Sequence, residues 1–270
     1  MGKVVRFSDF KKYFENSSIK DQSELGTVLD ANILITLSYD PKEYHTRVLD
    51  FLRDEIYSRG FKCFTTVNTT MEYLEFHRRL LMTEGLRDSI DKYSKLDLSN
   101  KKKQIIRAKS TILAAREKNN KADPVFYDRE IKAIREAFAS SGMPGVNAWK
   151  ALSEQYVKHA LHEEYKNLTK LNIGYVSINN KNQAEYFHKE MKWEDAIDIC
   201  AVTCAGFSDT MILNALMCTK FHFAISLDKD MAYATLADDR LKDVVMPDEL
   251  IESDEPLRKL CEAVRCNYGN

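Results

Sequence analysis

Residues 27–35 read TVLDANILI. The run reads as a strand buried on both faces over residues 27–31, and two polar residues stand where the apolar run should simply continue. Asp30 and Asn32 interrupt it. One reading is a strand end and a turn, where Asp and Asn bond to the local backbone. The other is a carboxylate put there for chemistry, and the rest of the chain must choose between them.

Outward from this stretch the elements alternate. After Asp40-Pro41, the apolar positions Tyr44, Val48, Leu49, Leu52 and Ile56 recur at helical spacing until Gly60 ends the pattern. FKCFTT (61–66) predicts a second strand, and Asn68 or Thr69 is suited to cap a helix over TTMEYLEFHRRLL. Strand, helix, strand, helix is the grammar of a parallel sheet. From about 85 to 170 the pattern is helical throughout, broken at Asp123-Pro124 and at SGMPG (141–145). Strand grammar returns at IGYVSI (173–178), followed by helices near 182–191, 193–205 and 208–219, the strand FHFAIS (221–226) and a last strand near 243–246. The expected organisation is an α/β core in two halves, 1–84 and 171–270, interrupted by an all-helical insertion at 85–170 that acts as a lid or substrate arm.

Composition narrows the classes of function. The chain has 270 residues, of which 44% are hydrophobic, as a globular protein with a real core requires. A formal net charge of -1 excludes a uniformly basic nucleic-acid binder, so a polyanion must be met by an asymmetric surface. One basic run stands out: between 86 and 121, eleven Lys and Arg face four acids, and Lys101, Lys102, Lys103 and Arg107 are the first candidates to track a phosphate backbone. A solvated helix surface is the plainer reading of the same run. No apolar run reaches the length of a membrane span, and MGKVVRFSDFKK lacks the apolar region of a secretory signal. The six cysteines are scattered without a CxxC pair, so a cytoplasmic protein with reduced thiols and no zinc is expected.

Several acids fall at the ends of core elements: Asp30 after the first strand, Glu72 in the helix after the second, Asp209 behind Ser208 at a helix start, and Asp228 and Asp230 in SLDKD after FHFAIS. In an open parallel sheet the ligand site lies outside the carboxyl ends of the strands, where acids distant in sequence converge. Crowded carboxylates repel one another, and a hard divalent cation such as Mg²⁺ or Mn²⁺ relieves that repulsion. Such ions activate water and stabilise the leaving oxygen of a phosphodiester.

The ordered stretches VLDANILI, TVNTTMEYL, FSDTMILNAL and FAISLDKDM resemble the motifs of the PIN-domain nucleases, metal-dependent ribonucleases related in fold to flap endonucleases. The resemblance covers roughly 25–84 and 171–246 and leaves out the helical block. It implies a PIN-like α/β/α sandwich with a central, mainly parallel sheet. It further implies that Asp30, Glu72, Asp209 and Asp228 are the catalytic, Mg²⁺- or Mn²⁺-binding acids, with Asp230 supporting or replacing Asp228. Asn32 would orient Asp30 or a water, while Ser208 and Ser226 would bond the neighbouring acids or the backbone. The implied activity is endonucleolytic hydrolysis of RNA, leaving a 5′-phosphate and a 3′-hydroxyl. A protein inhibitor or antitoxin and a homodimer are the partners it allows besides nucleic acid.

Other residues have plainer readings. Glu75 competes with Glu72 on one helix face, and the spacing from Thr66 favours Glu72. Asp195 and Asp198 read as a solvated face, and His159 with His162 as a surface pair. Cys200 and Cys204 read as small core residues, and Trp149 and Trp193 as packing anchors. The rival functions are a structure-specific DNA nuclease, with the helical block arching over a flap, and a catalytically weak module that binds RNA or protein.

Overall fold

The computed structural model describes residues 2–17, 19, 21–90, 98–118 and 125–267. In chain order the elements are β1 (Val4–Arg6), α1 (Phe10–Glu15), β2 (Gly26–Leu29), α2 (Ala31–Ser38), α3 (His45–Phe51), β3 (Lys62–Thr65), α4 (Val67–Asp88) and α5 (Asn100–Lys118). There follow α6 (Asp128–Ala139), α7 (Met143–Ser153), α8 (His159–Lys170), β4 (Ile173–Tyr175), α9 (Trp193–Thr203) and α10 (Phe207–Cys218). The chain then runs through β5 (Phe223–Ile225), α11 (Lys229–Ala237), β6 (Asp243–Met246), α12 (Asp248–Glu252) and α13 (Glu255–Asn267). Two compact units result, Met1–Tyr73 with Leu171–Asn270, and Leu74–Lys170. The division falls inside α4, eleven residues before the boundary expected at 84/85.

The first unit is α/β. Its six strands form one all-parallel sheet in the order β1-β6-β5-β2-β3-β4. Successive strand residues point to opposite faces, so each strand feeds two apolar layers. Val28, Phe64 and Ala224 pack with Ile199, Ile212, Leu213 and Leu216 of α9 and α10. Phe223 meets Phe10 at 5.2 Å between ring centroids and Phe61 at 5.3 Å, and Phe10 in turn meets Phe51 at 5.3 Å. Helical layers thus flank the sheet, consistent with an α/β/α sandwich.

The strand expected at 27–31 is one residue longer at its start and two shorter at its end, and a helix follows it at once. β2 stops at Leu29 and α2 begins at Ala31, with Asp30 between them in extended backbone (φ -68°, ψ 156°) as the helix N-cap. ANILITLS is helical although strongly apolar, because Ala31, Ile33, Leu34, Ile35, Thr36 and Leu37 are all buried. A short helix buried all round carries no periodic signature to separate it from a buried strand.

Other expectations shift too. The helix expected from Asp40-Pro41 starts at His45, passes through a π turn at Leu52–Ile56 and a 3₁₀ turn at Tyr57–Arg59, and ends where Gly60 adopts φ 81°. The helix near 182–191 is only a 3₁₀ segment, Lys181–Tyr186. β1 extends the sheet beside β6, an edge strand three residues long and too short to leave a pattern in the sequence.

The second unit is all-helical among its described residues. Met82, Leu86, Ile106, Phe126, Ile134, Phe138 and Leu152 form its own core. The expected break at SGMPG is a turn at Gly142 (φ 69°) that launches α7, with Pro144 at its start where a missing N–H is harmless. Asp123-Pro124 and the basic residues Lys92, Lys95 and Lys121 lie outside the described residues.

Candidate active site

The strand order locates a crevice. From β2 the chain moves outward to β3 and β4, then returns to the other side of β2 with β5, so the order reverses between β2 and β5. Ligands of open α/β sheets bind outside the carboxyl ends of the strands at such a reversal. Asp30 follows β2 and Ser226 follows β5 at that point, and the Asp30 N–H donates to the Ile225 carbonyl at 3.0 Å.

Ser226 ties the two strand ends together. Its hydroxyl donates to Asp30 Oδ2 at 2.7 Å and accepts the Asp228 N–H at 2.9 Å. Asp30 Oδ1 accepts the Ala31 N–H at 2.6 Å, while the amide of Asn32 stands 3.5 Å from Oδ2, at the limit of a hydrogen bond. Asp228 caps α11 by accepting the Asp230 N–H at 2.8 Å, and Asp230 itself is exposed.

Glu72 and Asp209 arrive on helices. The cap of α4 is Thr66 rather than Asn68 or Thr69: its N–H donates to Thr69 Oγ1 at 2.7 Å, and its hydroxyl accepts the Thr69 N–H at 3.3 Å. This reciprocal pair has the logic of a capping box and fixes the start of the helix that carries Glu72. The Glu72 carboxylate accepts the Ser208 hydroxyl. Asp209, the next residue, is the third of α10. At Gly206 a Cβ would stand 3.2 Å from Asp209 Oδ2, so the absence of a side chain leaves room for that carboxylate beside the helix start. Sequence reasoning passed over Gly206; a Gly three residues before a helix-opening Asp was the available signal.

The electrostatics show these groups to be neighbours. Asp30, 2% exposed, is pushed up to about 6, chiefly by burial, with Asp228 and Glu72 adding repulsion and the bonds from Ser226 and Ala31 opposing it. Asp209 is pushed up to about 7, again chiefly by burial, then by Asp228, Asp30, Glu72 and Asp230 in turn. Asp209 has no cationic partner to offset this among the described residues. All the donors here are hard carboxylate and hydroxyl oxygens, the set that suits Mg²⁺ or Mn²⁺. Among the described residues, however, no three Asp, Glu, His or Cys side chains already converge as a metal-binding group. Unscreened carboxylates hold apart, and a Mg²⁺ site that keeps several waters needs few direct carboxylate bonds.

The remaining candidates are placed elsewhere. Glu75 accepts Arg78 Nε at 2.8 Å, which separates it from Glu72. Asp195 pairs with Lys189 at 2.9 Å, and Asp198 with Arg240 at 3.8 Å. Lys102 is corrected: it is buried (8% exposed), its ammonium 5.0 Å above the Phe138 ring, so it belongs to the helical core. Lys101 and Arg107 are exposed and Lys103 partly so, as are His159 and His162 on α8. Trp149 packs edge-on to Phe138 at 5.4 Å, but Trp193 is 65% exposed and is no buried anchor. Cys204 is likewise no core residue; it is exposed and ends α9 in left-handed backbone (φ 55°).

No protein-family model, curated protein or solved structure matches the chain.

Proposed function

We propose that the chain is a Mg²⁺- or Mn²⁺-dependent endoribonuclease with a PIN-like core. The observation that supports it best is the meeting of the β2 and β5 ends. There Ser226 bonds Asp30 and Asp228 together, while Asp209 and Glu72 lie close enough to raise the burial-shifted carboxyls further. Asp30, Glu72, Asp209 and Asp228 would hold the metal, which would activate a water and offset charge on the phosphate. Each neighbour has a role. Ser226 and the Ala31 N–H favour the ionised form of Asp30, the form that binds a cation. Ser208 orients Glu72, and Asp230 supports Asp228 through the α11 cap. Water attacking the phosphorus with the P–O3′ bond breaking and the 3′-oxygen leaving, as the resemblance implies, would give a 5′-phosphate and a 3′-hydroxyl.

Among the described residues of the helical unit, Lys101, Lys103 and Arg107 would be the first candidates to track a phosphate backbone. A protein inhibitor and a homodimer are further partners of this reading. Cleavage of labelled single-stranded RNA, structured RNA and flap DNA, with Mn²⁺, Mg²⁺ or EDTA, tests it directly. RNA cutting that is lost with EDTA and in Asp209→Asn supports the proposal. Cutting confined to flap DNA would move the substrate class. Equal RNA binding by wild type and Asp209→Asn with no cutting would replace the enzyme with a binding module.

A further inference from the structure

On the helical unit, one face each of α4, α6 and α7, with the turn that follows α7 at Glu154–Lys158, converge on an open cavity of about 450 Å³. That volume suits a small organic molecule, since ligand sites in proteins run from about 300 to 1,000 Å³. The floor is the edge of the unit's own core: Met82 and Ile131 are buried, and Trp149 and Val157, half-buried, pack against the same core. The rim is charged, and its charges do not balance. Arg78 Nε donates to Glu75 Oε2 at 2.8 Å and its Nη2 to Asp128 Oδ1 at 2.7 Å, while Lys132 pairs with the other Asp128 oxygen. Lys132 and Arg78 together hold the Asp128 carboxyl below the usual carboxylate range. Two acids are thus answered by two cations, and Arg135 is left over. It makes no hydrogen bond, ion pair or ring contact among the described residues. Its neighbours one helical turn away on α6, Ile131, Lys132, Phe138 and Ala139, include no acid that could pair with it.

We infer that this cavity binds a small organic carboxylate with an apolar body, and that Arg135 is its counter-ion. The guanidinium fork matches the two oxygens of a carboxylate, and the apolar body covers the floor formed by Ile131, Trp149 and Val157. A single surplus cation matches a single negative charge, which a carboxylate carries and a phosphate monoester, at about 1.5 to 2, exceeds. A neutral apolar molecule would leave the guanidinium without a partner. A bare inorganic anion would leave the floor wet. The site uses none of the strand-end acids, so the inference is independent of the nuclease reading.

The test is a magnetic-resonance titration of the full ¹⁵N-labelled chain carrying Trp193→Phe. The chain has two tryptophans, and Trp193 is 65% exposed, so its replacement spares the fold and leaves the indole N–H signal of Trp149 alone. The probes are phenylbutyrate and its neutral amide, phenylbutyramide, which differ in charge and little else. Phenylbutyrate is expected to move the Trp149 signal along a saturating curve. The amide should bind roughly tenfold more weakly, the worth of a charge-assisted hydrogen bond. Arg135→Gln should reduce the affinity for the acid to that for the amide. Lys132→Gln removes the same charge from a side chain already paired with Asp128 and should change the affinity by less than about twofold. Both side chains are exposed, and circular dichroism verifies that the variants fold. A Trp149 signal indifferent to phenylbutyrate up to millimolar concentration overturns the inference, as does equal binding of acid and amide. Equal losses in the two variants, or none in either, also overturn it. None of these outcomes depends on RNA cleavage, so the nuclease reading stands or falls separately.

Discussion

The two ends of the parallel sheet gather charges of opposite sign. At the amino end, Lys242 lies just before β6, near Lys189 and Cys218, and its ammonium is pushed down to about 8, chiefly by burial. The chain answers that burial itself: Lys242 Nζ donates to the Thr219 carbonyl and, at 2.7 Å, to that of Phe221. Lys189 is paired with Asp195, and Lys220 Nζ lies 3.4 Å from Ser23 Oγ. At the carboxyl end, Asp209 is pushed the opposite way, to about 7, with four acids among the causes and no cation. Burial raises the cost of charge at both ends: two carbonyls answer it at Lys242, Ser226 and the Ala31 N–H answer it in part at Asp30, and no cation answers it at Asp209. An end left uncompensated is where a ligand brings the missing charge.

The largest test removes a carboxylate. Asp209→Asn should lower metal-dependent RNA cleavage about a hundredfold or more, since loss of groups that merely orient metal ligands already costs 10–100-fold. Asp195→Asn, whose carboxylate is paired with Lys189, should leave the rate within about twofold, as expected for an exposed ion pair. Equal losses in the two variants would erase the contrast between the ends. A finer test is Ser226→Ala. Its hydroxyl lowers the Asp30 pKa, so its removal raises that pKa and lets protons compete more strongly with a cation. Isothermal titration should show Mn²⁺ affinity at neutral pH reduced about tenfold and partly recovered as pH rises.

Much of this contrast was legible in sequence, for a physical reason. Asp30, Glu72, Asp209 and Asp228 could be singled out because three of them close or open an element and Glu72 lies in the second turn of a helix, in an order that resembles the PIN motifs, and the β2–β5 reversal then brings two of the strand ends together. The alternation of strands and helices likewise carried the parallel α/β core. What periodicity could not carry was burial on all sides. ANILITLS gives no sign of a helix because six of its eight residues are buried, and Lys102 looks like a phosphate ligand because its ring partner, Phe138, is 36 residues away. The Lys242 cluster was invisible for the same reason, since the carbonyls that hold it belong to Thr219 and Phe221, across a strand and a helix.

At the amino end the expected effects are on stability alone. Lys242→Met should cost about 1–3 kcal/mol in urea unfolding, because two carbonyls lose their donor, while metal-dependent cleavage is unchanged. A fall in cleavage at unchanged stability would tie this end to the reaction.

The smallest effect is in the pH dependence of the metal-free chain. Asp30 and Asp209 ionise near 3.8 when unfolded and near 6 and 7 when folded, so between those values the folded chain binds more protons than the unfolded one. Stability therefore falls as pH rises from about 4 to about 7, with Asp30 and Asp209 both contributing. Lys242 gives a slope of the opposite sign in a separate window: its folded pKa is depressed, so stability rises as pH climbs from about 8 toward 10.5. Thermal melts in EDTA across these windows should show the acidic slope flattened in Asp209→Asn and by added Mn²⁺, which replaces the proton as the counter-charge. The Lys242 contribution should survive both treatments and be lost in Lys242→Met, leaving the opposing slope of the raised Cys63, Cys218 and Cys261 thiols. An acidic slope indifferent to Asp209→Asn and to Mn²⁺ would mean that the carboxyl end, like the amino end, is already satisfied by the chain.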